Sequence, residues 1–405
     1  MATAKLGNPP QLRDSTVIDG LGWSVCRDIG EAADIWRWLE TQGSNRVFQS
    51  FAWISTWYEA VGKDEAVDPR LVVGWKDGWP CLLFPLGLKS RLGFRCLVWL
   101  AESWNDYNAP IVSDKIVPQL HDGIIANLWA EVAAMAGPAN LLKLVKQSPL
   151  TEQGRSNPLH HPDCAREDNA AYVLDLDSDV SRLLASIHSP KTWKGFARKA
   201  RKLEREGVVE FERPTSSTDC ANCVRQMLRW KSQALHARGV NNPFAASDNR
   251  EFLATMAQRY PRISRIYGIT LNKSPIALAL CLTEGDNLIM YQTAYDEAFA
   301  KYSPGALLIH WIIKKAAAER FLTFDFSYGD DPYKVAICNR KVMLERAIVP
   351  LGLIGAVPAG LARAKLEVRR LAKKNKQIRN TALLINRRWQ DVQTNVPRFG
   401  SAGVQ

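Results

Sequence analysis

Phe324–Lys334 reads FDFSYGDDPYK. It starts as an apolar strand and ends as a run of turn-forming and ionisable residues, so it is either an acidic surface loop or the floor of a site. The residues before it narrow the choice. Ser303-Pro304-Gly305 is followed by a helical pattern from Ala306 to Glu319 and then by the strand Phe321–Phe326. Upstream lie three strand patterns, Ser264–Leu271, Ile276–Glu284 and Leu288–Tyr295, separated only by Asn272-Lys273-Ser274-Pro275 and Gly285-Asp286-Asn287. Connections that short make hairpins, so these strands form an antiparallel meander. A helix between two strands is the crossover that joins parallel neighbours. The sequence therefore predicts a mostly antiparallel sheet ending in one β-α-β crossover, with FDFSYGDDPYK closing its last strand.

Further out, Ser189-Pro190 sets a capping serine and a first-turn proline ahead of a helix through Trp193, Phe196 and Ala200 to Leu203, with Gly207 as its stop. Val208–Glu212 reads as a strand, Thr218–Ala237 and Asn249–Tyr260 as helices, and Ala171–Leu176 as the strand that opens this block. Gln147–Asn169 is rich in Ser, Pro, Asn and His and has little periodicity, which makes it the linker. From about Trp23 to Leu150 an earlier block follows a similar plan. It has helical patterns at Ala32–Thr41 and Phe51–Val61, then strands Arg70–Trp75 and Cys81–Leu88 around the hairpin signal Lys76-Asp77-Gly78. The strand Cys96–Leu100, the helix His121–Ala136 and the strand Leu141–Val145 complete it.

A chain of 405 residues exceeds what one core usually supports, which agrees with two blocks. The formal charge of +12 is concentrated: Leu361–Gln390 holds ten Lys/Arg against Glu367 alone, and the rest of the chain carries only +3. Basicity thus describes a tail and not a nucleic-acid-binding body. Met1–Gly20 has no apolar signal region, so a cytoplasmic protein is expected. The eight cysteines are scattered, mostly in apolar runs, as suits core thiols. The lone Cys220/Cys223 pair and His160-His161-Pro162-Asp163-Cys164 offer ligand types without a second pair beside them, so no metal is expected.

The order of elements, together with FDFSYGDDPYK, resembles the GNAT acyltransferase superfamily. More closely, it resembles the CelD/BcsL-like acetyltransferases of cellulose biosynthesis, which are similar to the FemAB aminoacyl transferases in carrying two tandem GNAT-type folds. The first block contributes Phe48-Gln49-Ser50, Trp53, Trp57 and the Asp106-Tyr107 pair to this resemblance. The second contributes the basic helix Lys194–Arg205, the turn Tyr302-Ser303-Pro304-Gly305, and Asp325, Gly329, Tyr333 and Lys334. The resemblance implies an α/β (α+β) chain of two tandem GNAT-type domains, each a mostly antiparallel mixed sheet flanked by helices, with a basic helical tail. The boundaries it implies are an extension over 1–22, domains over 23–150 and 170–348, a linker over 151–169 and a tail over 349–405. Two departures stand out. Tyr302 and Leu307 replace residues of the usual CoA-binding turn, and Val335-Ala336-Ile337 replaces the large aromatic that tends to follow Tyr-Lys.

By that resemblance the donor is acetyl-CoA, without a metal, and the acceptor is a polysaccharide or its precursor. Donor phosphates need backbone N–H groups at a helix start, and Ser303, Gly305 and Ala306 supply one. The same residues also read as a plain helix cap. Tyr291 and Gln292, on the strand before the crossover, could face the donor or be ordinary strand residues. Acyl transfer also needs a base for the attacking hydroxyl or amine and an acid for the leaving thiolate. Asp325, on the strand face opposite Phe324 and Phe326, is the candidate base. Tyr328 and Tyr333 are candidate acids, and Lys334 could steady a developing oxyanion. Gly329-Asp330-Asp331-Pro332 is turn chemistry in its own right. Asp106, Tyr107, Gly329, Lys194 and Arg198 are candidates for holding the acceptor, although the basic helix also reads as a solvated face. His310 reads as a core histidine.

The tail joins an apolar stretch, Ile348–Ala362, to a series spaced by three and four residues: Leu361, Ala364, Val368, Leu371, Asn375, Ile378, Ala382, Ile385 and Trp389. The stretch is too short and too proline-broken for a span of ~20 residues. The series suits a helix packed on the body, with a coiled coil or peripheral contact at the inner face of a membrane as alternatives. The competing functions are a FemAB-like transferase using aminoacyl-tRNA, the one case in which nucleic acid is a partner, and a non-catalytic accessory protein of a polysaccharide synthase complex.

Overall fold

A computed structural model describes residues 16–374, apart from 19, 44–45, 92, 150–156, 158 and 241. The first half comprises β1 (Thr16–Ile18), β2 (Leu21–Cys26), α1 (Ala33–Glu40), α2 (Phe51–Trp57), β3 (Asp68–Lys76), β4 (Trp79–Arg91), β5 (Phe94–Trp99), β6 (Ile111–Val112), α3 (Asp122–Ala136) and β7 (Leu141–Gln147). The second opens with β8 (Cys164–Asp175), α4 (Val180–Ile187), α5 (Pro190–Glu204), β9 (Val209–Glu212), α6 (Ser217–Ala237) and α7 (Ser247–Arg259). It continues with β10 (Ser264–Leu271), β11 (Ser274–Glu284), β12 (Asn287–Tyr295), α8 (Pro304–Ala318), β13 (Thr323–Tyr328), α9 (Pro332–Ile337) and β14 (Arg340–Pro350), and α10 (Ala356–Lys374) follows.

The local signals act as their chemistry requires. Asp77 and Gly78 both take positive φ in the β3–β4 turn, as a tight hairpin demands. Ser50, Ser189 and Ser216 each accept a backbone N–H at a helix start. The strands form one sheet in the order β1-β2-β3-β4-β5-β7-β14-β8-β13-β12-β11-β10-β9, with β6 pairing β4. Two neighbouring pairs are parallel, β5 with β7 and β12 with β13, and the others are antiparallel. Each half is thus a meander ending in a β-α-β crossover, through α3 in the first and α8 in the second. The architecture is the mostly antiparallel, helix-flanked tandem arrangement that the sequence implied.

Several elements differ from expectation. The strand anticipated over Phe321–Phe326 runs from Thr323 to Tyr328, because Leu322 spends its N–H on Asp286 O outside the ladder. β1 and the first residues of β2 lie in the expected extension, the rest of β2 precedes the helical pattern that opens the first block, and β8 begins at Cys164, inside the expected linker. β14 was not expected at all. It lies in mid-sheet between β7 and β8, and its charges are matched across the strands, Arg346 with Glu167 at 2.9 Å and Arg340 with Asp175 at 3.0 Å. Such pairing hides the apolar alternation by which a strand is recognised. α4 and α9 are too short for periodicity to reveal. The tail series beyond Lys374 lies outside the described residues.

One core passes through both halves. Trp53 of α2 is fully buried and meets Phe48 at 5.2 Å between ring centroids, Phe252 of α7 at 4.9 Å and Tyr291 of β12 at 5.2 Å. Its indole donates to Asn105 Oδ1 at 2.8 Å. Trp53→Ala should therefore cost about 3–5 kcal/mol. Urea unfolding followed by near- and far-UV circular dichroism should show one shared transition, and separate transitions for the two halves would contradict a common core.

Candidate functional site

The site begins where two parallel strands part. β12 and β13 are paired from Asn287↔Thr323 to Ile289↔Asp325, after which β12 continues to Tyr295 and β13 to Tyr328. Opposite, β12 slips register against β11 between Leu280 and Cys281, a bulge around Tyr291. Gaps at the carboxyl ends of neighbouring strands are where open sheets with crossovers hold ligands.

On one side of the split, Asp325 points away from Phe324 and Phe326 into the seam with the first half, and it is buried. Tyr107 donates its hydroxyl to Asp325, with oxygens at 2.7 and 2.9 Å, and Ser327 N donates to Oδ1 at 2.6 Å. Arg46 lies over the Tyr107 ring at 4.5 Å and pairs with buried Glu284 at 2.9 Å, while Val47 N donates to the other Glu284 oxygen at 2.8 Å. Burial pushes Asp325 up to about 6 against the opposing pull of the Tyr107 and Ser327 hydrogen bonds and of Arg46. Burial, with Asp325 beside it, also holds Tyr107 well above its ordinary value and so protonated.

The motif then turns sharply. Ser327 adopts φ +63°, a left-handed conformation unusual for a residue with a side chain, and its Oγ donates to Asp106 at 2.7 Å. Gly329 follows at φ +125°, where a Cβ would be strained, and its N–H donates to Ala170 O at 2.9 Å. Asp330 accepts from Ala170 N and the Tyr172 hydroxyl, both at 3.1 Å, which ties the turn to β8. Lys334, on α9, is buried and donates to Tyr328 O at 3.1 Å, with Asp331 3.5 Å away. Tyr328 lies under Lys146 at 5.4 Å, and Tyr333 meets Phe326 at 5.9 Å. Burial first, then nearby Glu167 and Asp168, raises the Tyr328 phenol and keeps it protonated at neutral pH, while Tyr333 lies at the surface, 38% exposed.

On the other side, Ser303 starts α8 at φ +54°. Its hydroxyl does not cap the helix. Instead it is met by Lys199 of α5 at 2.7 Å. A Cβ on Gly305 would come within 3.1 Å of the Tyr295 ring, so this start is tightly packed. Ala306 N is turned back to Ser303 O.

Of the residues singled out in the sequence, Asp106, Tyr107, Asp325, Tyr328, Gly329 and Lys334 meet at the seam through the bonds above. Ser303, Gly305 and Ala306 form the second cluster. Tyr291 joins neither: it sits in the shared aromatic core and donates its hydroxyl to Trp104 O at 2.7 Å. Gln292, half-buried, lies on the part of β12 beyond its pairing with β13. Lys194 and Arg198 are exposed on α5. His310 is a core residue of α8, its Nε2 3.0 Å from that of His188, and burial lowers it to about 4. His160, Cys164 and Glu345 bring ligand-type atoms together, yet protein partners engage them. His160 Nε2 is 2.6 Å from Glu345, and Gln147 donates to Cys164 Sγ at 2.9 Å.

Five residues of the site carried little or no signal. Arg46 stands two positions before Phe48, and Glu284 ends an apolar strand, an unusual place for an acid that its pairing with Arg46 explains. Ser327 and Lys199 lie inside quoted motifs but have no special residue type. Lys231 of α6 reaches Thr293 O at 3.3 Å, and burial lowers its pKa, with Asp331, Lys334 and Asp106 in its field. Its helical surroundings gave no hint of this.

Three comparisons bear on these features. Residues 190–335 match a family model described as an acetyltransferase (GNAT) domain. The fold is similar to the crystal structure of FemX at 11% identity, covering 80% of this chain and 96% of that one, with a TM-score of 0.52. It is also similar to the C-terminal domain of a putative lysylphosphatidylglycerol synthetase from Agrobacterium fabrum at 10% identity, covering 82% and 95%, with a TM-score of 0.50. No curated protein matches the sequence. The chain thus has a GNAT/FemAB-like fold, and residues 190–335 of its second half match a GNAT-domain model. No helix among the described residues is long and apolar enough to cross a membrane.

Because the folded pKa of Asp325 lies above its ordinary value, its contribution to stability is complete below about pH 4, fades as pH rises through about 6 and is absent above. Asp325→Asn removes that dependence. The stability of the variant relative to the wild type should rise by roughly 2–3 kcal/mol between pH 4 and pH 8. Urea unfolding across that range measures it, and a flat difference curve would show that the carboxyl does not titrate there.

Proposed function

We propose that this chain is a GNAT-type acyltransferase that takes an acetyl group from acetyl-CoA and passes it to a hydroxyl or amine of a polysaccharide or its precursor. The observation that carries the reading is the split between β12 and β13, which has a cationic helix start on one side and a buried carboxylate cluster on the other. The GNAT-domain match over 190–335 supports the acyl transfer. The CelD/BcsL-like resemblance supports the acetyl group and the saccharide acceptor in cellulose or exopolysaccharide synthesis.

In this reading the Gly305 N–H, the Ser303 hydroxyl and the Lys199 ammonium meet the donor phosphates at the helix start that Ala306 continues, and Gln292 lines the thioester arm. Tyr291 supports that strand from the core side. Asp106, Tyr107, Gly329 and Lys231 bound the acceptor site, and exposed Lys194 and Arg198 receive an anionic part of the acceptor such as a nucleotide diphosphate. The acceptor atom attacks the thioester carbonyl, forming the C–O or C–N bond as the C–S bond breaks. Its proton passes to the Asp325 carboxylate, and a proton from Tyr328 or Tyr333 goes to the leaving thiolate. Lys334 stabilises the oxyanion. We place the protein in the cytoplasm, with peripheral contact at the inner face of the membrane.

Acetyl-CoA binding by calorimetry and by thermal shift tests the donor. Binding should raise the melting temperature. Gly305→Glu, which adds bulk and negative charge beside Tyr295, should abolish that rise. Lys199→Ala should weaken binding about tenfold, the worth of one charge-assisted hydrogen bond. The likeness to FemX across both halves favours one other reading, a FemAB-like aminoacyl-tRNA-dependent transferase. Binding of aminoacyl-tRNA without acetyl-CoA would select it. If neither binds and Asp325→Ala with Lys334→Ala leaves the cellular phenotype intact, the fold acts as an accessory protein of a synthase and not as a catalyst.

A further inference from the structure

α10 shows its apolar side to solvent. Leu353 is 96% exposed and Ile354 66%, in the turn that leads into the helix. Val357, Leu361, Val368 and Leu371 follow at spacings of three, four and seven, so they line one side of α10, and all are more than half exposed. The helix is seated on the body by other residues. Ala359 is buried, Arg363 donates to Ile348 O at 2.9 Å, and Arg370 pairs with Asp168 of β8 at 3.2 Å. An ordinary surface helix turns its apolar stripe to the core and its charges to water. This one seats buried Pro358 and Ala359, half-buried Leu366 and two arginines on the body and leaves a second apolar stripe open.

The charge around the stripe indicates what covers it. Residues 361–374 hold six Lys/Arg against Glu367. A second copy would bring the same positive charge to the same face. Residues 375–405 of the chain itself are also basic, with five Lys/Arg against Asp391. Both occupants meet like-charge repulsion, whereas an anionic bilayer complements the basic flanks while its acyl region takes the leucines, the isoleucine and the valines.

We propose that the turn at Leu353–Ile354 and the outward face of α10 form a docking surface for an anionic phospholipid membrane. This deepens the peripheral-membrane reading above and is independent of the transferase chemistry, because vesicle binding and acetyl-CoA binding are read separately.

The test is co-sedimentation of the full chain with vesicles of phosphatidylcholine alone and of equimolar phosphatidylcholine and phosphatidylglycerol. Partitioning onto the anionic vesicles should exceed that onto neutral ones by on the order of tenfold or more and should fall with added salt. The triple variant Leu353→Glu, Leu361→Glu, Val368→Glu changes only exposed side chains. It should keep the wild-type melting temperature and lose at least about tenfold in vesicle binding, given the area and charge changed. Lys365→Glu with Lys373→Glu should remove the preference for anionic vesicles. The proposal is overturned if the wild-type chain ignores anionic vesicles or if the triple variant binds them as well as the wild type. A lipid-free wild-type dimer that the triple variant dissolves would also overturn it.

Discussion

The structure depends on the burial of four polar side chains where the halves meet: Arg46, Tyr107, Glu284 and Asp325. Two come from the first half and two from the second, and one cation faces two carboxyls. A buried charge is tolerated only with partners, and removing one partner costs more than the pair contributes. Glu284 takes the closer claim on Arg46, which leaves Asp325 with hydrogen bonds and a raised pKa. The halves are thereby fixed in relative position by directional bonds as well as by the Trp53 aromatic cluster, to which the Tyr291 hydroxyl adds its own bond across the halves to Trp104 O. Misplacing either half strands a charge in an apolar seam.

That constraint bears on what the sheet can do. β14 lies between β7 and β8, so the two meanders are one continuous sheet and not two bodies on a hinge. Ridges and grooves alone would let the halves slide. Cross-strand ion pairs such as Arg346 with Glu167 add register to that joint. A rigid frame of this kind lets the loops at the strand ends be strained, as Ser327 is, because the surrounding structure holds them there. The positive φ of Ser327 turns its hydroxyl to Asp106, and the turn is held at the far end by Asp330, which accepts from Ala170 N and the Tyr172 hydroxyl of β8.

Legibility in the sequence followed the physics of each element. Hairpins and capped helices were readable because Asp77-Gly78 or Ser189-Pro190 encodes its geometry locally. β14 was not readable, since its charges are satisfied by β8, which lies about 175 residues earlier in the chain. Asp325 was singled out because a carboxylate between two phenylalanines on a strand must face away from their core. The partner of that carboxylate, Tyr107, reads from the sequence as an acceptor-holding candidate and not as its partner, and Arg46 and Glu284 as no site candidates at all. Long-range pairing of charges has no spacing signature. Tyr291 shows the converse: its place on the crossover strand fits a ligand contact and an ordinary strand residue alike, and the bulge around it turns the ring into the aromatic core.

The two crossovers explain why the polar clusters lie where they do. In the second half, the segment from β12 to α8 is short and ends in the left-handed turn at Ser303. In the first half, the corresponding segment from β5 to α3 runs from residue 100 to 121, long enough to carry Trp104, Asn105, Asp106 and Tyr107 across to β12 and β13. That loop completes the wall opposite Asp325. The two meanders thus differ in one loop length, and the longer loop supplies first-half side chains to the neighbouring half. A long insertion at that point is thermodynamically tolerable because closure entropy grows only logarithmically with length. Burial of Trp104 and Tyr107 against the second half offsets that cost.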